Sequence, residues 1–359
     1  MSSDANIAGQ APSEADALAD PHWFSEGFDS QRGEFLLVAA DRPLLAAQTF
    51  LDGRWERSGS PRLRAGSAID RPSATSNPAR IIWHTGFCCS TLLARMLDRP
   101  SRNLSLCEPQ VLVDIAAARR TGAVSRDAAS SAAQHALVLL SRPFSPGEHV
   151  TIKPSPAANA LLQLITVPAG QRMLFLYSDC RSFLISIYKM GEEGRKYIRR
   201  LFLALLADGH IQARWPTVKL LMMSDLELAA VLWHMQIAEF LRVWPALEPG
   251  SAASLDCDAF LGSPEDASVR LNKLFSLGIG AEYLRDVIAG PLFHRNSKTG
   301  EAEFDVTRRA VEHQRIEQEI GGDLDRIVAQ SYQLCRDTPR TVPLPNPLLP
   351  IEKSYCPGT

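Results

Sequence analysis

The chain contains 359 residues, of which 45% are hydrophobic, and this composition can bury a large core in one main domain with appendages. It has 38 basic and 40 acidic residues, so no net field draws it to nucleic acid or to anionic lipid. No apolar run approaches the roughly 20 residues of a membrane span, and no secretory leader is recognisable. Together with the odd number of cysteines, seven, this pattern predicts a cytoplasmic protein with reduced thiols.

The N-terminal part of the chain is predicted to be an appendage. Residues 1–22 show no hydrophobic periodicity and are predicted to be disordered. Residues 23–78 are predicted to hold a strand in "EFLLVAA" and a short helix in "RPLLAAQTFL", with Asp41 as its N-cap. The segment 57–80 is rich in Ser, Pro, Gly and Arg, which predicts a linker or mobile loop.

The main domain is predicted over residues 79–337. The apolar stretches "RIIWHT", "HVTIKP" and "RMLFLYSD" have the length of buried strands, and each is followed by a segment with helical spacing. Such alternation predicts an α/β domain with a mainly parallel sheet. Residues 191–249 are predicted to be a helical insertion in this domain.

Local signals place several element ends in the second half of the chain. Ser224 and Glu227 have the spacing of a capping box at the start of a helix. After a last strand, "AASLDCDAF", Ser263 is predicted to cap a helix that ends at Gly278. The proline-rich residues 338–359 are predicted to be extended along a surface or disordered.

The stretch "ARIIWHTGFCCSTLLARMLD" predicts an anion-binding loop between a buried strand and a helix. Backbone N–H groups of a glycine-containing turn and the positive end of the helix suit a phosphate or sulfate. The motif of nucleotide triphosphatases requires a second glycine and a lysine that are missing here, which disfavours an ATPase or kinase. An ordinary capped turn is the other interpretation. The loop, called the cradle loop below, comprises Gly86, Phe87, Cys88, Cys89, Ser90 and Thr91.

Three segments in order resemble the motifs of the sulfotransferase family. "FCCSTLLARMLDRPSRNLSLCEPQVL" is similar to the family's modified phosphate loop, with Ser90 and Thr91 at the hydroxyl positions and Glu108 near the acidic position. "LYSDCRSFLISI" resembles the motif that holds the 3′-phosphate of the sulfate donor, with Ser186 at the helix serine. "LDCDAFLGSPEDASVRLNKLFSLGI" resembles a third, looser signature.

The resemblance implies a three-layer α/β fold like that of P-loop-containing nucleoside triphosphate hydrolases. It also implies transfer of a sulfuryl group from the co-substrate 3′-phosphoadenosine 5′-phosphosulfate to a hydroxyl or amine of a small molecule or peptide, without a metal. Glu108 would act as general base. Three positions depart from the family pattern: Phe87 stands where the family has a loop cation, Cys89 replaces a glycine, and Ser178 replaces an arginine.

Four basic residues are candidates to replace the missing cations. Lys153 follows a predicted parallel strand, whose carboxyl end is where open α/β sheets bind ligands, and Arg181 lies three residues after Ser178. Arg295 and Lys298 belong to the basic loop "FHRNSKTG". Two alternatives remain: a non-catalytic nucleotide- or anion-binding protein on the same fold, and a phosphoryl-transfer enzyme of the wider P-loop class.

Adjacent Cys88 and Cys89 admit two interpretations. Near a helix start, one of the thiols could be redox-sensitive. Otherwise Cys89 serves as a small apolar filler and Cys88 as a loop residue that donates through its backbone. Their spacing does not fit a zinc site.

Overall fold

Two sheets organise the part of the protein that its structure, a computed structural model, describes: residues 12–55, 59–66, 78–209, 220, 222–294, 306–338 and 342–351. An antiparallel sheet has the order β1-β2-β3, and a parallel sheet has the order β5-β6-β4-β7-β8. The strands are β1 (Trp23–Asp29), β2 (Glu34–Ala39), β3 (Arg62–Gly66), β4 (Arg80–His84), β5 (Asn103–Cys107), β6 (His149–Lys153), β7 (Arg172–Tyr177) and β8 (Ala252–Asp256).

Helices connect and cover these strands. The N-terminal helices are α1 (Glu14–Ala19) and α2 (Arg42–Ala47), and the main domain contains α3 (Ser90–Met96), α4 (Gln110–Arg120), α5 (Arg126–Leu140), α6 (Cys180–Lys189), α7 (Gly191–Ala207), α8 (Asp225–Val243), α9 (Cys257–Gly262), α10 (Pro264–Phe275), α11 (Ala281–Ala289), α12 (Pro291–His294) and α13 (Val306–Leu334). Two 3₁₀-helices span Pro156–Gln163 and Trp244–Ala246. None of the helices within the described ranges combines the length and hydrophobicity that crossing a membrane requires.

The parallel sheet is the middle of three layers. All five residues of its central strand β4 are buried, as expected for a parallel strand covered on both faces. Successive residues of a strand point to opposite faces, and here Ile81 and Phe175 join one hydrophobic cluster whereas Ile82 and Leu174 join the other. Helices α4 to α8 contribute to the first cluster, and α3 and α9 to α12 to the second. The predicted three-layer α/β fold with a mainly parallel sheet is confirmed.

Arg142 is one of the residues that join the N-terminal unit to the main domain. The guanidinium of Arg142, at the end of α5, donates to the carbonyl oxygens of Ala17, Leu18 and Asp20 at 2.8–3.0 Å and to that of Trp23 at 2.5 Å. Burial lowers the pKa of Arg142 to about 10, and the charge of Asp20 opposes this shift. The carbonyl groups at the end of α1 therefore receive partners from another part of the chain.

The structure differs from the sequence prediction in this N-terminal region. Helix α1 lies in the segment predicted to be disordered, and β3 lies in the segment predicted to be a linker. Both elements depend on tertiary contacts: Ala17 of α1 is fully buried, and β3 pairs with β2. Propensity alone gave no signal for either element, because packing stabilises such short elements. The predicted N-cap Asp41 is confirmed, since its carboxylate accepts from Leu44 N–H at 2.8 Å.

Two other helix predictions have mixed outcomes. The capping box is confirmed, since Ser224 Oγ accepts from Glu227 N–H and the Glu227 carboxylate accepts from Ser224 N–H. Helix α10 follows Ser263, but the Ser263 side chain makes no capping bond. The helix ends at Phe275 rather than at Gly278, because Ser276 takes the left-handed conformation that ends it.

Residues 342–351 run beside β8 through a series of bends and form one bridge with it, between Ser254 and Pro347. Ser254 N–H donates to Asn346 O at 3.0 Å, and Leu348 N–H donates to Ser254 O at 2.8 Å. The side chains of Leu344 and Leu349 are buried. This part of the proline-rich segment covers the free side of β8, which would otherwise be an edge of the sheet.

Replacing Gly194 by alanine is expected to destabilise the protein by about 1–3 kcal/mol because of overpacking between α6 and α7. A Cβ at this position would lie 2.6 Å from the carbonyl oxygen of Ile187 and 2.9 Å from Met190 Cβ. The matched control is Gly322→Ala in α13, where a Cβ would meet nothing within 4 Å and helix propensity predicts a gain of up to about 1 kcal/mol. Urea denaturation of both variants measures the difference, and equal effects would contradict the close contact.

Candidate functional site

The cradle loop has the backbone of an anion-binding turn. It follows β4 at the centre of the parallel sheet, and three of its residues have positive φ angles: Gly86 at 81°, Phe87 at 52° and Cys89 at 59°. Consecutive residues that include such left-handed conformations form concave arrays of N–H groups. Helix α3 begins directly after Cys89, and its first intrahelical amide is that of Leu93, which donates to Cys89 O at 3.0 Å. The preceding amides of the first turn have no acceptor within the helix.

His84 fixes the entry to the loop. Its Nδ1 accepts from Gly86 N–H at 3.0 Å, and because that amide can only donate, Nδ1 is unprotonated and also accepts from Ser90 Oγ at 3.3 Å. A Cβ on Gly86 would lie 3.4 Å from the hydroxyl of Tyr197, so the loop also approaches α7 closely. The φ angle of 81° at position 86 therefore favours glycine. A larger residue there would also press against the Tyr197 hydroxyl.

Phe87 is held by other rings. It packs edge to face against Tyr197, with centroids 5.3 Å apart, and against Phe183 at 6.0 Å. These contacts join the loop to α6 and α7. The position at which the sulfotransferase family has a cation is thus part of an aromatic cluster.

The two loop cysteines differ in their surroundings. Cys88 is fully buried, its Sγ donates to Leu176 O at 3.6 Å, and burial raises the pKa of its thiol to about 12. Cys89 is half-buried and packs against the hydrophobic cluster that contains Cys257. The expected roles are exchanged: Cys88, expected as a loop residue that donates through its backbone, is the buried one, whereas Cys89, expected as the small filler, is half-buried.

Glu108 and Lys153 meet at the carboxyl ends of neighbouring strands. Lys153 Nζ lies 2.6 Å from Glu108 Oε1; the lysine side chain is 0% exposed and that of the glutamate 18%. Cys107 and Lys153 are paired in the parallel register, so Glu108 is the next residue beyond β5 and its N–H donates to Lys153 O at 2.7 Å. Glu108 has a φ of 55° although it is not glycine. Strained backbone of this kind is concentrated at functional sites.

A loop from the N-terminal unit lies over this ion pair. The Phe50 ring centroid is 5.4 Å from Lys153 Nζ, and the Arg54 guanidinium stacks on the same ring at 4.3 Å. Leu51 N–H donates to Cys107 O at 2.7 Å, which attaches the loop to the end of β5. Arg54 also forms an ion pair with Asp52 at 2.5 Å.

Tyr197 lies between the ion pair and the cradle loop. Burial raises the pKa of its phenol above the ordinary value, and the charge of Glu108 raises it further, so the hydroxyl stays protonated. Phe50, Arg54 and Tyr197 have no sequence signal as site residues, because separate parts of the chain carry them to the sheet edge.

The other residues expected from the sequence are engaged elsewhere or lie outside the described residues. Ser178 is buried and its carbonyl accepts from Trp233 Nε1 at 2.8 Å. Arg181 forms ion pairs with Glu317 and Asp325 of α13. The hydroxyl of Ser186 donates to Ser182 O at 3.0 Å within α6. Arg295 and Lys298 fall in residues 295–305, which the structure does not describe.

Arg309 of α13 is a cation that the sequence gave no reason to select, and it is bound to α9, which follows the carboxyl end of β8. Its Nη1 donates to Asp258 Oδ1 at 2.7 Å, while its Nη2 is buried and has no hydrogen-bond partner among the described residues. Burial tends to lower the pKa of Arg309, but the charges of Cys257, Asp258 and Cys89 outweigh it and raise the pKa. A buried N–H donor without an acceptor is costly unless a ligand or water supplies one.

Comparison with known proteins gives a partial likeness to a solved structure. No family profile matches the chain, and no curated protein matches it. Among solved structures, the sulfotransferase domain from the curacin biosynthetic pathway aligns with a TM-score of 0.40 and 14% identity, covering 68% of this chain and 98% of that domain. In the described ranges, no group of three or more His, Cys, Asp or Glu side chains is arranged to hold a metal ion.

Removing one member of the Glu108–Lys153 pair is expected to cost more stability than removing both. Lys153→Met leaves a partly buried carboxylate without its counter-ion, which typically costs about 3–5 kcal/mol, whereas Lys153→Met with Glu108→Gln removes both charges. Urea denaturation of the two single variants and the double variant gives the coupling energy. The matched control is Lys196→Met in α7, an exposed lysine paired with Glu192, for which a change below about 1 kcal/mol is expected. Additive effects at Glu108 and Lys153 would contradict the interaction.

His313, beside Arg309 in α13, is expected to titrate below its ordinary pKa. Burial is the main cause; Arg309 and Lys189 also lower the pKa, while Asp258 and Asp179 oppose the shift. Above pH 6.5 the imidazole is neutral in both states, and as the pH falls through 6.5 the unfolded chain binds a proton that the folded chain does not, so stability decreases. An NMR titration of the His313 imidazole measures the shift, and a midpoint at or above 6.5 would contradict it.

Proposed function

We propose that the protein is a sulfotransferase-like enzyme, which transfers a sulfuryl group from 3′-phosphoadenosine 5′-phosphosulfate to a hydroxyl or amine of a small molecule or peptide. The observation that carries the proposal is the Glu108–Lys153 pair at the same sheet edge as the cradle loop. Open α/β sheets bind ligands at this edge. The sequence motifs in family order support the same conclusion.

The chain has groups suited to the donor's anionic end. The N–H groups of the cradle loop beyond Gly86 and the hydroxyl of Thr91 would bind oxygen atoms of the phosphosulfate, and Ser90 would join them by turning its hydroxyl away from His84 Nδ1. Arg309 would supply a cation, and the N–H groups of its Nη2 are available to donate hydrogen bonds to the donor's oxygen atoms. In this proposal Arg309 replaces the charge that Phe87 and Ser178 do not provide. The donor itself supplies an activated sulfuryl group with a phosphate as leaving group.

Glu108 is proposed as the general base. Its carboxylate is partly exposed whereas Lys153 is fully enclosed, so an acceptor can reach the glutamate from the solvent side. As the acceptor oxygen or nitrogen bonds to sulfur and the bond from sulfur to the donor phosphate breaks, the acceptor proton passes to Glu108. Lys153 holds the carboxylate in position and stabilises negative charge at the sheet edge. Tyr197 and Phe50 limit access of water to this point.

A non-catalytic nucleotide- or anion-binding protein on the same fold is the second candidate. The engagement of Arg181 by two carboxylates and the aromatic packing of Phe87 favour it, because both positions then lack a cation directed at a donor. Transfer activity distinguishes the two candidates.

Calorimetric titration with 3′-phosphoadenosine 5′-phosphate tests the donor site. Wild type is expected to bind at micromolar concentration, and Arg309→Met to bind at least about tenfold more weakly because a desolvated charge contact is lost. Arg270→Met is the matched control, since Arg270 lies half exposed on α10 and pairs with Asp266. No binding by wild type at millimolar nucleotide would contradict the proposal.

Glu108→Gln separates catalysis from binding. The variant is expected to bind the nucleotide within about twofold of wild type but to lose about 10²–10⁴-fold in transfer of labelled sulfate to a panel of phenols, alcohols and amines. Tight nucleotide binding by a wild type that transfers to none of them would favour the non-catalytic candidate.

A further inference from the structure

A small cavity lies among the helices on one face of the parallel sheet. The end of α4, the start of α5, the end of α7 and the 3₁₀-helix Pro156–Gln163 enclose a volume of about 80 Å³. One water molecule needs roughly 10–15 Å³ of such space, so a group of several atoms can enter. Asp208, which lines the cavity, follows the last turn of α7, about 16 Å along the helix from Tyr197 and its contact with the cradle loop. The cavity is therefore separate from the proposed donor site.

A buried ion pair forms one wall of the cavity. Arg120 donates from Nε and Nη2 to the two carboxylate oxygens of Asp208 at 3.0 and 2.9 Å, and from Nη2 to Ala157 O at 2.9 Å. The Arg120 side chain is 15% exposed and that of Asp208 is 5% exposed. Two parallel bonds of this kind fix the plane of the guanidinium and leave the N–H groups of Nη1 outside them. Arg120 thus has further donors that are already held in place.

Two other arginines line the same cavity. Arg119 lies in the last turn of α4, and Arg126 is the first residue of α5. Both are exposed, and Arg126 Nη2 donates to Gln163 O at 3.0 Å. Among the described side chains that line the cavity, three guanidinium groups accompany a single carboxylate, that of Asp208. This lining therefore carries a surplus of two positive charges.

Helix ends account for only part of this charge. A cation is favourable at the C-terminus of a helix, and this suits Arg119 and Arg120. Arg126 has the opposite placement, because the positive end of α5 disfavours a cation at the first helical position. Its bond to Gln163 O uses one terminal nitrogen and leaves Nε and Nη1 outside that bond. A bound anion would be favourable both to the start of α5 and to the guanidinium groups.

We propose that this cavity binds a phosphate group, either as free phosphate or as the monoester of a small molecule. Arginine forks present paired donors that match the oxygen atoms of phosphate, and three forks suit a tetrahedral group better than a planar carboxylate. A phosphate monoester carries a charge of about −1.5 to −2 at pH 7, which matches the charge surplus of the lining. The site is independent of the proposed function, since neither the cradle loop nor Glu108 takes part in it.

An NMR titration of the full chain with inorganic phosphate tests the proposal residue by residue. In wild type, the backbone amides of Arg126 and Asp127 are expected to shift with a Kd below about 1 mM. The amides of the cradle loop report separately on binding there, so failure of the donor site is distinguishable from failure of this one. Absence of shifts at the start of α5 in about 10 mM phosphate would overturn the proposal.

Exposed arginines of the cavity provide the variants. Arg126→Met and, separately, Arg119→Met are expected to weaken phosphate binding at the cavity at least about tenfold and to leave any shifts in the cradle loop unchanged. Arg120 is not replaced, because its loss would leave the buried Asp208 carboxylate without its bidentate partner. Arg270→Met in α10 is the matched control and is expected to bind like wild type. Wild-type affinity in both cavity variants would contradict the site.

Two further titrants identify the form of the ligand. Glycerol 3-phosphate that binds at least about tenfold more tightly than inorganic phosphate would identify a monoester, and any smaller difference would identify free phosphate. Acetate, a planar monoanion, is expected to shift the same amides only at concentrations at least about tenfold higher. If acetate binds as tightly as phosphate, the assignment to a phosphate group is wrong.

Discussion

The ammonium group of Lys153 is closed off from solvent, and the Glu108 carboxylate 2.6 Å away compensates its charge. A buried cation without such a partner costs several kcal/mol, so the local structure has to bring the carboxylate to it. Glu108 reaches this position through a left-handed backbone conformation directly after β5. The Phe50 ring then covers the pair, and the N-terminal unit is thereby attached to the main sheet at this edge.

The sheet architecture could be predicted because its signals are local. Strands β4, β6 and β7 lie in the apolar stretches that predicted them, and β8 lies in the predicted last strand. Each of these runs is visible in the sequence without knowledge of its neighbours. The antiparallel N-terminal sheet was predicted only in part. Strand β3, "RLRAG", has exposed arginines and a single buried alanine, so its identity as a strand comes from pairing with β2. Pairing of that kind is a tertiary effect and leaves no periodicity.

The sequence allows prediction of those site residues that directly follow a strand. Glu108 and Lys153 could be selected individually on that ground, but their contact depends on the β5–β6 register, which the sequence does not specify. Arg309 and Tyr197 arrive on helices α13 and α7, and helical residues of these types are usually solvated. Conversely, Arg181 follows a strand as expected, but its guanidinium forms ion pairs with Glu317 and Asp325 of α13. Which arginine serves the site is thus decided by where α13 packs.

The segment 342–351 beside β8 has a consequence for how copies of this protein could associate. Its hydrogen bonds with Ser254 take up backbone groups that a strand from another molecule would need. At the opposite margin, Leu51 occupies the end of β5 in a similar way. Each margin of the parallel sheet is therefore at least partly occupied by the protein's own chain, which disfavours growth by strand addition. Contacts between copies through this part of the protein would therefore use its helical layers, where side-chain shape rather than the peptide backbone determines which partner fits.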